Sequence, residues 1–252
     1  LQGEGWDKGW NELLRISGNC AAITERSFGV PDGVNNGQFG VGLVIDFFGL
    51  SGKYSGFPVE FAYPDVTAVV PANIGLITGG KNSEEAKKFI SYTVSLEGQQ
   101  LLYDPKISRL PILPPAQMGG KAPAGYPNPF EIAKRAKVQF DSTLSEARYQ
   151  VVTSLFDQMI TFRLKELQAA TKAIHEADKA LKAKPNARGG ELLRQARSLA
   201  YTPLVGAENV KNEQFLELFR KSRRDVEVSK QLSGQEQLWA DKARDNYARA
   251  AQ

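Results

Sequence analysis

Residues 58–102 alternate between strand-like and helix-like sequence, and this order constrains the fold more than any other part of the chain. Val59–Tyr63 alternates apolar and polar side chains, which is typical of a β-strand. An apolar segment over 66–78 follows and predicts a second, buried strand. Asn82 and Glu85 then have the spacing of a capping box, which predicts that a helix begins there. Strands that alternate with helices indicate an α/β body.

The N-terminal region fits the same body. The apolar residues Trp6 and Trp10 recur at helical spacing and predict a short helix over 4–17. The run from Phe39 to Phe48 is continuously apolar except for Asp46, is rich in Val and Ile, and is bounded by glycines. Such a run predicts a buried strand.

The last third of the chain is different in kind, because its apolar residues recur at spacings of three and four from Ile160 to Leu181. This pattern predicts one amphipathic helix from Ser145 to Lys184. Further helices are expected over 191–201 and 212–251, the latter broken near Ser233-Gly234. The apolar stripe of this helical region has two possible partners: a lobe that is absent from the sequence, or a second copy in a coiled-coil dimer.

The composition excludes several classes of protein. The net charge of +4 comes with no aromatic-interleaved basic stripe, so nucleic-acid binding is not expected. No apolar run approaches the ~20 residues that span a bilayer. The single Cys20 cannot form an internal disulfide. No nucleophile motif, phosphate-binding glycine loop or metal-ligand spacing is present, so the chain is not expected to be an enzyme or to carry a cofactor or a metal.

A set of short motifs carries a family resemblance over the first 115 residues or so. They are, in order, Gly5-Trp-Asp-Lys-Gly-Trp10 with Gly18-Asn19, Arg26-Ser-Phe-Gly-Val-Pro-Asp-Gly-Val34, Val41-Gly-Leu-Val-Ile-Asp-Phe-Phe48, residues 58–65, Pro71-Ala-Asn73, Lys81-Asn82, Ser95 to Gln99 and Ser108-Arg-Leu-Pro111. In this set the chain resembles the C-terminal part of type II periplasmic solute-binding proteins of ABC transporters. The subgroup is the iron(III)-type or phosphoglycerate-type one.

The resemblance implies a two-lobe α/β fold with a long all-helical C-terminal extension. Residues 1–60 would then belong to the second lobe, 61–135 would cross the hinge, return into the first lobe and end in a Pro/Gly-rich strap, and 136–252 would form the extension. The first part of the N-terminal lobe would be missing, so the chain is expected to be a fragment. The alternative is a complete, diverged small domain.

The resemblance also bears on the ligand. Members that bind Fe(III) carry a tyrosine pair where this chain has Phe47 and Phe48, and a phenyl ring cannot ligate a metal. Iron is therefore disfavoured, and the subgroup leaves a small anionic solute such as a sugar phosphate or a phosphoglycerate.

Five residues are candidates for contacting that anion: Arg26, Ser27, Asp46, Phe47 and Glu60. Arg26 and Ser27 would cradle a phosphate at a helix start. Asp46 would accept hydrogen bonds from hydroxyls, and Phe47 would offer an apolar face to a sugar ring. Four of the five have a plainer alternative, and Glu60 is the weaker candidate. Asp46 could cap the following loop or pair with Lys53, Arg26 could form a local ion pair, Ser27 could be a turn residue, and Phe47 could belong to the core.

The function that follows is an extracytoplasmic solute-binding component of an ABC importer, which docks on a permease in the inner membrane and is located in the periplasm. The alternatives are a periplasmic sensor that acts on a membrane histidine kinase, and an Fe(III)-binding transport protein. If the fragment stands alone, its exposed helices could also form a dimer.

Overall fold

The computed structural model describes residues 1–65, 67–136, 138–222 and 225–252, and within them the regular structure is helical. The α-helices are α1 (Trp6–Gly18), α2 (Gly29–Asn35), α3 (Asp46–Tyr54), α4 (Ser83–Thr93), α5 (Leu96–Gln100), α6 (Pro129–Arg135), α7 (Ser142–Met159), α8 (Leu164–Ala183), α9 (Ala187–Tyr201), α10 (Glu213–Lys221) and α11 (Val226–Ala250). Short 3-10 helices span Leu101–Tyr103, Pro115–Gln117, Thr161–Arg163 and Asn209–Lys211. The chain divides into two compact units.

The helical unit comprises residues 1–23 and 140–252. Four of its helices, α7, α9, α10 and α11, begin where the sequence supplies a side-chain oxygen for their first free N–H groups. Asp141, Asn186 and Asn212 accept from Leu144, Gly189 and Phe215, at 2.9, 2.7 and 3.2 Å. Asp225 accepts from the amides of Glu227 and Val228 at the start of α11. Such caps satisfy backbone donors that the helix itself leaves free.

The core of the helical unit forms where the apolar faces of α1, α7, α8, α9 and α11 meet. Trp6 and Trp10 pack edge to face in it, with ring centroids 5.8 Å apart. Buried polar groups are paired across the same core. The Tyr247 hydroxyl donates to the carbonyl oxygen of Met159 at 2.8 Å, and Trp6 Nε1 donates to the carbonyl oxygen of Val205 at 2.7 Å.

The structure corrects three expectations for the helical region. The predicted helix over 145–184 is two helices, because the chain turns through the 3-10 segment Thr161–Arg163. The predicted break near Ser233-Gly234 is wrong, since α11 is continuous through it. The apolar stripe of α8 is buried within the unit itself, with Leu167 fully buried, so neither a missing lobe nor a coiled-coil partner is needed to cover it.

The central unit comprises residues 24–139 and corrects the predicted α/β fold. The described residues contain no β-strand, and the only pairing is an isolated parallel bridge between Ala68 and Val138. Within the predicted strand 39–48, residues 41–45 are irregular and Asp46 begins α3. Of the predicted strand 66–78, Val66 lies outside the described residues and 69–77 is irregular. The backbone N–H and C=O groups of a strand need a neighbouring strand as their hydrogen-bond partner. The described residues of this unit provide no such neighbour, so its apolar runs do not form strands.

The described residues therefore do not form a two-lobe type II binding fold. The domain boundaries predicted at residues 60 and 135 remain predictions. None of the described helices is long and apolar enough to cross a bilayer.

Candidate functional site

The start of α3 brings two of the five candidate residues into one cluster, which consists of Asp46, Phe47, Tyr63 and Arg109. Both carboxylate oxygens of Asp46 are engaged: Oδ1 accepts from the amide of Phe47 at 2.8 Å, and Oδ2 accepts from the Tyr63 hydroxyl at 3.0 Å. A carboxylate in the first helical turn is also favoured by the positive end of the helix dipole. Asp46 therefore fixes both the start of α3 and the position of Tyr63.

Arg109 is the cation of this cluster and was not among the residues chosen from the sequence. Its guanidinium lies 3.8 Å from the centroid of the Phe47 ring. Among the described residues no carboxylate lies within ion-pair distance of it. A guanidinium that stacks on an aromatic face keeps its N–H edge free, and that edge can bind a carboxylate or phosphate through two hydrogen bonds.

The backbone before Arg109 is held in an unusual conformation. Ser108 is fully buried and has a φ of +47°, which is rare for a residue other than glycine. The Ser108 amide donates to Asp104 at 2.8 Å, and the Tyr126 hydroxyl donates to the carbonyl oxygen of Arg109 at 3.1 Å. These bonds hold the strained backbone in place and so fix where the Arg109 side chain leaves the chain.

Three tyrosines pack beside the cluster. The Tyr126 ring lies 5.0 Å from that of Tyr54 and 4.9 Å from that of Tyr103, measured between centroids. The Tyr54 hydroxyl is buried without a hydrogen-bond partner among the described residues. The cluster is therefore flanked by three aromatic rings and by one buried hydroxyl, that of Tyr54, which is an unused donor among the described residues.

Burial raises the pKa of Tyr63, and the negative charge of Asp46 raises it further. Burial also raises the pKa of Tyr126. In the unfolded chain tyrosine loses its proton near pH 10. The folded unit holds these protons to higher pH, so its stability is fully present below about pH 10 and declines as the pH rises above it.

We expect Tyr63→Phe to weaken this alkaline loss of stability, because one of the protons that the folded state retains is no longer there. Urea unfolding, followed by far-ultraviolet circular dichroism from about pH 8 to about pH 11, measures the decline. Tyrosinate absorbance in the same titration should show one fewer late-ionising tyrosine than in the wild type. Tyr149→Phe, an exposed substitution in the helical unit, is the control. An alkaline decline equal to the wild type in Tyr63→Phe would contradict the role of Tyr63.

The other three candidates lie outside this cluster. Arg26 is exposed, with its guanidinium 5.9 Å from the Phe28 ring centroid, and the described residues show no ion pair for it. Ser27 lies beside a shallow groove with Val30 and the segment 43–45. Both residues precede α2, which begins at Gly29 and has only 7 residues.

Glu60 is exposed and forms an ion pair with Lys53 at 2.6 Å, so the alternative partner considered for Asp46 is taken by Glu60. Phe47 and Phe48 pack against each other at 4.4 Å between centroids, at the start of α3. Whether any of the five residues binds an anion stays a prediction. Within the described part of the chain, no group of His, Cys, Asp and Glu side chains could hold a metal ion.

Comparison with known proteins supplies two relatives. The phosphoglycerate transport regulatory protein PgtC of Salmonella typhimurium is 34% identical over 186 residues, which are 72% of this chain and 44% of that protein. PgtC of Salmonella typhi gives the same figures. No protein-family model matches the chain, and no solved structure does.

These relatives correct the predicted function as the fold corrects the predicted architecture. Their name describes regulation of transport and not the solute-binding component of an importer. The expectation of a type II periplasmic solute-binding protein is therefore wrong on both counts. The chain spans 44% of the length of these relatives.

Proposed function

We propose that this protein regulates the transport of a phosphorylated organic acid of the phosphoglycerate type. The observation that carries the proposal is the 34% identity over 186 residues to two phosphoglycerate transport regulatory proteins. The substrate class comes from the relatives' name, and the regulatory role replaces the transport role expected from the sequence.

The helical unit supports a regulator that works through protein contacts. Its core is closed by its own helices, with Trp10, Leu155 and Leu167 fully buried, so it can present a stable outer surface without a ligand. That surface carries many short ion pairs along single helices, such as Lys182 with Asp178 at 2.8 Å in α8. The expected partner is a component of the transport system, of which an ABC permease is one form.

We propose further that the anion itself contacts the central unit at Arg109. The guanidinium stacks on Phe47, has no carboxylate within ion-pair distance among the described residues, and follows a backbone fixed by buried Ser108. A phosphate or carboxylate group of the anion would bind its free N–H edge. Asp46, whose oxygens are already engaged, would position Tyr63 and would not touch the anion.

Two more expectations from the sequence are kept as proposals: the protein has no catalytic activity of its own, and it acts in the periplasm. The first is supported by the cluster, in which the one carboxylate is bound by a tyrosine hydroxyl and a backbone amide. Fractionation of the native host, with antibodies against this chain, tests the second. Recovery with the cytoplasmic markers would refute it.

The regulatory role is tested by deleting the gene in its native host. We expect the deletion to change uptake of labelled 3-phosphoglycerate and its induction by external 3-phosphoglycerate at least about tenfold, while uptake of an unrelated sugar stays unchanged. Unchanged uptake and induction of the phosphoglycerate system would refute the proposal.

The Arg109 contact is tested by alleles in the deleted strain. Arg109→Ala should lower the sensitivity of induction to external 3-phosphoglycerate and weaken its binding, measured by calorimetry on the purified protein, by about tenfold or more, since a bidentate charged hydrogen bond is lost. Arg188→Ala, which removes an exposed arginine of the helical unit, is the matched control. If both alleles behave like the wild type while the deletion does not, the protein regulates transport without an anion contact at Arg109.

A further inference from the structure

Residues 69–77, here called the apolar segment, form an exposed apolar surface of the central unit. Val70, Ile74, Leu76 and Ile77 are 58, 48, 43 and 80% exposed. The segment has no regular secondary structure, and the backbone hydrogen bond found for it is a turn in which the carbonyl oxygen of Ile77 accepts from Gly80. The carbonyl oxygen of Pro71 also accepts from Asn73 Nδ2 at 3.4 Å. A segment whose other N–H and C=O groups find few partners among the described residues, beside exposed apolar side chains, is a template for strand pairing.

The apolar segment lacks the features by which proteins usually protect such an edge. From residue 66 to residue 80 the sequence contains no charged side chain. The first charges on either side are Asp65 and Lys81, both exposed and neither in an ion pair within the described residues. The segment is therefore apolar at its centre, acidic at its N-terminal end and basic at its C-terminal end.

We propose that the apolar segment pairs with the same segment of a second copy of this chain, in antiparallel register, around a two-fold axis at Asn73. In this register Val70 faces Leu76 of the second copy, and Ala72 faces Ile74. Every side chain on one face of the two-stranded ribbon is then apolar. Such cross-strand apolar pairs are the unit that stabilises a sheet.

The charges at the ends of the segment favour a second copy as the occupant. Antiparallel pairing brings Asp65 of one copy to the end where Lys81 of the other lies, whereas parallel pairing would bring like charges together. A partner of strong charge of either sign would find no opposite charge along residues 66–80. The segment is complementary to itself, as a two-fold interface requires.

Pro71 fits the same register. It faces Gly75 of the second copy, and both are odd-numbered like Asn73. If the odd positions form the pairs without direct hydrogen bonds, the nitrogen of Pro71 points away from the other strand, where the missing N–H costs nothing. The register therefore places Asn73 opposite Asn73 in a pair of this kind, where Cα atoms lie about 4.5 Å apart.

This geometry gives a direct test, because Cα atoms at that separation can be joined by a disulfide. In a Cys20→Ser background, Asn73→Cys should form a covalent dimer on mild oxidation and do so at least about tenfold faster than the control Asn82→Cys. Asn82 is also an exposed asparagine of the central unit and makes no capping hydrogen bond with its side chain.

Sedimentation velocity over a dilution series provides an independent measurement on the unmodified chain. The wild type should show a reversible dimer, and Ile74→Asp should raise its dissociation constant at least about tenfold, since a charge enters an apolar pair. Leu192→Asp, at an exposed apolar position in the helical unit, should leave the dimer unchanged. Because Ile74 is exposed, the variant is expected to fold, and circular dichroism checks this.

Four outcomes would overturn the proposal. The wild type could be monomeric at every concentration, the dimer could be equally stable in Ile74→Asp, or Asn73→Cys could cross-link no faster than Asn82→Cys. Growth of open-ended aggregates in place of a dimer would also refute it, since the two-fold pairing is closed. The proposal does not depend on the regulatory function, so either can fail alone.

Discussion

Trp10→Ala is expected to destabilise the helical unit by about 3–5 kcal/mol, the largest loss predicted for a single substitution in this chain. Trp10 is fully buried between α1 and its neighbours, edge to face with Trp6 at 5.8 Å. Its removal takes away the transfer free energy of a large side chain and leaves a cavity that the surrounding helices cannot fill. The loss is a large fraction of the ~5–15 kcal/mol that holds a typical domain folded.

Urea unfolding followed by tryptophan fluorescence measures this loss. The chain has 3 tryptophans, Trp6, Trp10 and Trp239, and all lie in the helical unit, so the signal reports that unit even when Trp10 is absent. The free energy of unfolding should fall while its dependence on urea concentration stays the same.

Trp10→Phe is the matched variant. The Nε1 donor of Trp10 has no hydrogen-bond partner within the described structure, so phenylalanine removes an unpaired buried donor together with part of the ring. The relief of that donor offsets some of the lost packing, and we expect a cost below about 2 kcal/mol. If Trp10→Ala and Trp10→Phe lower the free energy of unfolding equally, the volume of the side chain at position 10 does not determine the stability of the core.

The helical unit could be predicted from the sequence because the information that specifies it is local. Its apolar spacing and its Asp or Asn caps are features of single helices, and Pro185 ends α8 as expected. The errors arose where two helices meet, as at Thr161–Arg163, since spacings of three and four continue across a turn. The continuity of α11 through Gly234 shows that one glycine in a helix is a weak signal, costing only about 1 kcal/mol.

The central unit could not be predicted in the same way. An apolar run such as Val41 to Phe48 is compatible with a buried strand or with the start of a helix, and the neighbours decide between them. Here Asp46 accepts a hydrogen bond from the amide of Phe47 in the first turn of α3, and no described strand lies beside residues 41–45. The same holds for the apolar segment, whose apolar sequence is strand-like but which has no neighbouring strand among the described residues of the unit.

The candidate site was predicted only in part. Asp46 and Phe47 were chosen because a carboxylate at the end of an apolar run is unusual, and the structure places both in the cluster with Tyr63. Arg109 lies 62 positions after Phe47, and no spacing rule connects an arginine in a Pro-rich strap to a distant aromatic ring. The ion pair of Glu60 with Lys53 could not be predicted, because it depends on how the loop after α3 turns back.

Gly18→Ala is expected to destabilise the helical unit by about 1–3 kcal/mol, although it is the smallest possible change. Gly18 ends α1 where that helix approaches α8 closely, and a Cβ atom there would lie 2.0 Å from Thr171 Oγ1. Thr171 cannot turn aside freely, because its hydroxyl accepts a hydrogen bond from Tyr201 at 3.2 Å and is fully buried. The two helices must therefore separate, and the packing around Trp10 and Leu167 is loosened with them.

A double-mutant cycle distinguishes this clash from a general effect of alanine. In Gly18→Ala with Thr171→Gly, the space that Thr171 vacates accepts the new methyl group, so the combined loss should be smaller than the sum of the two single losses. Gly190→Ala in α9 is the control, because its Cβ would meet only Arg194 Nη1 at 3.9 Å. That substitution should stabilise the unit by about 0.5–1 kcal/mol, as glycine is unfavourable inside a helix. Additive losses in the cycle, or an equal gain at both glycines, would mean that α1 and α8 are not in contact at Gly18.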